Sequence, residues 1–73
     1  MSLEFLENKS RTEWSNLIQE YVFNETDRKI LTLRLLDGKT FSEIEDELNL
    51  SESTIKHRHY KILNKFLHKI DTL

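Results

Sequence analysis

Two helix-start signals, Thr40 and Ser51, bracket the stretch "FSEIEDELNL", and together they limit the folding choices of this chain more sharply than any other feature. Thr40 stands three residues before Glu43, the spacing of a capping box. In that arrangement the hydroxyl accepts from the backbone N–H of Glu43 while the carboxylate accepts from the backbone N–H of Thr40. A helix must therefore start near Phe41. It runs only to about Leu48, because Asn49 tolerates the left-handed conformation that ends a helix and Ser51 is ready to cap the next one. The spacing predicts helices over 41–48 and 52–70 separated by about three residues, which is helix-turn-helix spacing.

The rest of the chain reads as helix too. Proline is absent, Gly38 is the only glycine, and no strand-length alternation of apolar and polar residues occurs, so the expected fold is all-α. Ser10 is placed to cap a helix over 11–21, in which Trp14, Leu17, Ile18 and Tyr21 recur at i, i+3, i+4 and i+7 and form one apolar face. In "NETDRKILTLRLLDGK" Asn24 or Thr26 offers a cap, Glu25 and Asp27 suit the positive end of a helix dipole, and Gly38 supplies a left-handed stop. The expected buried set there is Ile30, Leu31, Leu33 or the stem of Arg34, and Leu35. The expected architecture is one domain over 1–73, a small bundle of about four helices. The net stability of a core of this size rarely exceeds about 3–5 kcal/mol without staples.

Several function classes drop out on composition. The chain has no cysteine, which excludes disulfides, thiolate zinc sites and a cysteine nucleophile, and fits a reducing, cytoplasmic address. No apolar run approaches the roughly 20 residues that span a bilayer, and "MSLEFLENKS" lacks the basic and apolar regions of a signal peptide. No cofactor is implied. A metal site built on His57, His59 and His68 is disfavoured because ligand pairs on one helix stand at i and i+4. Ser51, Ser53 and His57 have no oxyanion nest or orienting group beside them, and Glu43, Glu45, Asp46 and Glu47 read as a solvated face. The expectation is a protein without enzymatic activity.

Charge then separates the chain into two parts. Residues 1–52 carry six basic side chains against twelve carboxylates, whereas residues 53–73 carry Lys56, Arg58, Lys61, Lys65 and Lys69 against Asp71 alone. The net charge of −2 hides this polarity. On the last helix Ile55, His59, Ile62, Leu63, Phe66 and Ile70 share the inward face, leaving Ser53, Lys56, His57, Tyr60, Lys61 and Asn64 outward. Exterior lysines usually only solubilise a helix. Here they coincide with helix-turn-helix punctuation, an aromatic Tyr60 and a hydroxyl pair, Ser53 and Thr54, at the helix start. Phosphates are held by such groups while base edges are read from the first turns of the second helix, so the combination points to duplex DNA.

The stretch "DRKILTLRLLDGKTFSEIEDELNLSESTIKHRHYKILNKF" resembles region 4 of bacterial sigma-70-type factors, most closely the extracytoplasmic-function kind, and behind it the LuxR-type DNA-binding domain. Leu31, Leu33, Arg34 and Asp37-Gly38 are similar to that family's "LRLR…EG", Phe41 and Ile44 to "Y-x-E-I", Leu48 to Ser51 to "LGVS", and Thr54 to Arg58 to "TVKSR". The resemblance implies a region 4-like part over 24–70, with transcription regulation as its role. It also implies major-groove contacts from Ser53, Lys56 and His57, with Tyr60 one turn on. Thr54, Arg58 and Lys61 match positions on the DNA backbone or groove edge, and Ser51 and Lys65 complete the expected DNA-binding set. Lys56 is the foremost base reader, because a lysine or arginine on guanine is the commonest specific contact.

Two positions depart from the family. Asn49 replaces a glycine, and Glu45 stands where alanine or glycine is usual; a carboxylate there must snorkel out or pair with a base such as Arg58. Two roles stay open at this point. The first is a sequence-specific DNA-binding regulator, either a detached domain or a small protein of the kind that phages and mobile elements carry. The second is a sigma-like interaction module that docks on RNA polymerase or another regulator through its acidic part. Phe66, Leu67, Ile70 and Leu73 and the N-terminal Leu3, Phe5 and Leu6 either cap the domain or support a homodimer.

Overall fold

A computed structural model describes residues 9–71. Among them are four α-helices, α1 (Arg11–Tyr21), α2 (Glu25–Leu31), α3 (Phe41–Leu48) and α4 (Glu52–Asp71), and a π-helical segment, Thr32–Leu36, between α2 and α3; no strand occurs among the described residues. The caps explain the boundaries. Ser10 closes a capping box with Glu13, Asn24 Oδ1 accepts from the Asp27 backbone N–H at 3.1 Å, and Thr40 and Glu43 form the expected reciprocal pair at 3.1 and 2.9 Å. Gly38 (φ 66°) and Asn49 (φ 60°) take the left-handed conformation where the sequence asks for it.

The π segment alters the expected buried set. Its bonds reach one residue further back than those of an α-helix, as in the Asp37 N–H donating to the Thr32 carbonyl at 3.1 Å. The additional residue per turn shifts the phase of the side chains beyond it. Leu33 and Leu36 therefore pack on the core while Leu35 is 37% exposed, which corrects its expected burial. Arg34 is half-buried; it donates from Nη1 to the Lys39 carbonyl at 3.0 Å and so ties the π segment to the start of α3.

Two apolar clusters hold the helices together. Trp14, Ile18, Val22, Leu31, Phe66 and Ile70 join α1 to α2 and to the C-terminal half of α4. Ile30, Ile44 and Ile55, flanked by Leu33, Phe41, Leu48 and Leu50, join α2 to the two helices of the helix-turn-helix. Adjacent residues of α2, Ile30 and Leu31, feed one cluster each. That helix is the strut on which α3 and α4 are set. Of the apolar residues considered for a dimer, Phe66 and Ile70 are buried and Leu67 packs beside them. Leu3, Phe5, Leu6 and Leu73 lie outside the described residues.

Candidate nucleic-acid interface

The start of α4 is built by two acceptors from different directions. Ser51 Oγ accepts from the Thr54 backbone N–H at 3.3 Å and donates to Thr54 Oγ1 at 2.7 Å. Glu45 Oε2 reaches from α3 to accept from the Glu52 backbone N–H at 2.6 Å. This corrects both expectations for Glu45, which neither snorkels out nor pairs with Arg58. It is a cross-helix cap, and it fixes the second helix of the motif against the first.

Beyond this start, the outward side of α4 carries Ser53, Lys56, His57, Tyr60, Lys61 and Lys65, all exposed. Ser53, Lys56, His57 and Tyr60 fall at i, i+3, i+4 and i+7, one stripe along the helix. Lys56 Nζ lies 3.6 Å from the Glu52 carboxylate, an open i, i+4 pair of the kind that contributes little and exchanges readily with water. On the flank of that stripe, Thr54, His57, Arg58, Lys61 and Lys65 border a shallow recess with Asp27 and Ile62.

Arg58 behaves differently from its neighbours. Its Nε donates to Asp27 Oδ1 at 2.9 Å and its Nη2 to Asn24 Oδ1 at 3.1 Å, so the guanidinium is bound to the N-terminal turn of α2. Asn24 and Asp27 have legible roles in the sequence as a cap and a dipole partner, but no local pattern announces that they also receive a side chain from α4. The contact is long-range and appears only when α2 and α4 are packed.

His57 and His59 separate as the helical phase requires. His57 is exposed, whereas His59 is 4% exposed, with a buried Nδ1 that has no hydrogen-bond partner. Burial pushes its pKa down from 6.5, with a further contribution from the Arg34 charge, so the neutral ring is favoured. Its surroundings are aromatic: Phe41 meets it edge-on at 5.3 Å between centroids and Tyr60 at 5.0 Å. Arg34 lies over the Phe41 ring at 4.5 Å and Lys56 at 5.7 Å from its centroid. No local sequence pattern joins Phe41 and Arg34 to Lys56 and Tyr60.

Two helices, a tight turn capped from both sides, and a polar and basic stripe on the second helix define a helix-turn-helix of the nucleic-acid-binding type. The family model for sigma-70, region 4 matches residues 24–66, more than half of the chain, and the chain belongs to that family. No curated protein and no solved structure matches it. Sigma-70 region 4 domains bind DNA and RNA polymerase, which gives this chain a DNA-binding, transcription-related role. No helix among the described residues is long and apolar enough to cross a membrane.

Proposed function

We propose that this chain is a sequence-specific duplex-DNA-binding module that regulates transcription in the cytoplasm, with α4 in the major groove. One observation carries the reading: Ser53, Lys56, His57 and Tyr60 form an exposed stripe on a helix whose start is locked by Ser51 and Glu45. In this reading Lys56 and His57 contact base edges, Ser53 supports them, and Ser51, Thr54, Lys61 and Lys65 serve the phosphate backbone. Arg58 orients α4 through Asp27 and borders the backbone-facing recess. In this reading 1–73 acts as one domain, of the kind found in transcription regulators that phages and mobile elements carry. The resemblances to extracytoplasmic-function sigma factors and LuxR-type domains support the same mode.

The test is selection of bound sequences from random duplex DNA by the 73-residue chain. An enriched motif is expected, with binding that weakens as salt rises by a slope of roughly −0.9 per neutralised phosphate. Lys56→Ala and His57→Ala relax the preference by about 1–3 kcal/mol at the bases concerned, while Lys65→Ala weakens all sequences alike. A second reading, docking on RNA polymerase, is favoured by the exposed carboxylates Glu43, Asp46 and Glu47 on α3, which suit a basic partner surface. Absence of any enriched motif together with a flat salt response favours that reading.

A further inference from the structure

Among the described residues three large apolar side chains are exposed, Phe23, Leu35 and Tyr60, and only Tyr60 belongs to the stripe that carries Lys56 and His57. Tyr60 is 56% exposed although its ring touches two others, His59 at 5.0 Å in a T-shaped contact and Phe41 at 6.0 Å in a tilted one. Those contacts hold the ring from behind. His59 is itself buried, and Phe41 is fixed by Arg34 on its face and by its place beside the Ile30, Ile44 and Ile55 cluster. An aromatic ring held in this way loses little rotamer freedom on meeting a ligand, so a contact it makes retains most of its binding free energy.

The chemistry of the groove then narrows the partner. The edges of the base pairs in the major groove present hydrogen-bond donors, acceptors and one apolar group, the 5-methyl of thymine. Ser53, Lys56 and His57 match the donors and acceptors. Tyr60, one helical turn beyond Lys56 on the same face, brings an apolar ring surface that has one complementary group there.

We infer that Tyr60 is a specificity-determining residue that reads a thymine methyl, held in position by His59 and Phe41, next to the base contacted by Lys56. This rests on the DNA-binding reading above and adds to it a base identity at one position of the site.

The experiment uses the duplex selected by the 73-residue chain, with each thymine replaced in turn by deoxyuridine, a change that removes the methyl group and leaves the pairing edge intact. Binding of the wild-type chain is expected to weaken roughly fourfold at one thymine, the amount that burying one methyl-sized group contributes, and to change little at the others. Tyr60→Ala lowers affinity for the thymine duplex and binds both duplexes equally, while Tyr60→Phe keeps the discrimination. Circular dichroism and thermal unfolding of each variant report its folding, and the wild-type comparison needs no variant.

Three results overturn the inference. The first is a wild-type chain indifferent to every replacement while Lys56→Ala still relaxes the motif, which leaves the DNA-binding reading standing. The second is a Tyr60→Phe loss equal to that of Tyr60→Ala with discrimination intact, which assigns the hydroxyl to a phosphate. The third is the absence of any selected motif, which removes both readings together.

Discussion

Arg58 of α4 stands with its Nε 2.9 Å from Oδ1 of Asp27 in α2, and both side chains are partly withdrawn from solvent, 35% and 15% exposed. A contact that joins two helices far apart in sequence measures how well the second motif helix is anchored. Arg58→Ala and Asp27→Ala are each expected to lower stability, with a coupling of about 0.5–1.5 kcal/mol in a double-mutant cycle followed by urea unfolding. The double variant keeps the net charge of the wild type. Its salt slope for DNA binding should stay near the wild-type value, whereas Lys61→Ala reduces the slope by about one. A slope that falls by one in the double variant as well shows that Arg58 spends its charge on phosphate.

Glu45 gives a second, independent test of the motif geometry. Its carboxylate accepts from the Glu52 backbone N–H at 2.6 Å in a partly buried setting, and its removal leaves that donor without a side-chain cap. Glu45→Ala is expected to cost about 0.5–2 kcal/mol, and Glu45→Gln, which keeps an acceptor but loses the charge, less than that. Amide hydrogen exchange at the start of α4 should speed up in the alanine variant before exchange elsewhere changes. Equal exchange in both proteins rejects the capping role.

The same residue shows where sequence reasoning reaches its limit. Thr40, Glu43, Asn49 and Ser51 are legible because each acts on backbone groups within a few positions, and the structure puts all four where local rules require. The apolar faces of 11–21 and 52–70 follow from helical period alone. Glu45 and Arg58 act across the turn and across the bundle, so their partners depend on packing that no local pattern encodes. Leu35 fails for a different reason. A 3.6-residue period predicts its burial, and the π segment at Thr32–Leu36 changes that period without any proline or glycine inside it to mark the place. The outward stripe of α4 was legible, but the aromatic support behind Tyr60 was not, because Phe41 and His59 meet only through tertiary contact.

His59 makes the stability of the domain depend on pH in a defined window. Burial, and then the Arg34 charge, lower its pKa from 6.5 in the native state, so near and below that value the unfolded chain takes up a proton that the native chain resists. Stability therefore rises with pH, and is lost as pH falls from about 6.5 toward the lowered native value. Glu43 contributes separately. Its carboxylate is held below 4.5 by the backbone N–H and hydroxyl of Thr40, so its share is present above that value and is lost only in stronger acid. Urea midpoints measured between pH 7.5 and 5.5 should decline for the wild type and stay nearly level for His59→Leu. An equal decline in both assigns the effect to another group.

Phe66 turns the apolar face of α4 inward. It is 1% exposed, its ring centroid lies 6.1 Å from that of Trp14, and Ile18, Val22, Leu31 and Ile70 share its cluster. Replacing a buried phenylalanine by alanine costs about 3–5 kcal/mol, which is comparable with the whole net stability of a domain this small. Phe66→Ala is therefore expected to be largely unfolded at 25 °C, with loss of helical circular dichroism and a red shift of the Trp14 fluorescence. The same burial leaves Phe66 and Ile70 little surface for a two-fold contact, so the wild-type chain should sediment as a monomer at high micromolar concentration. A concentration-dependent dimer that vanishes in a still-folded Phe66→Ala protein would show that this end of α4 opens to a second copy rather than closing on Trp14.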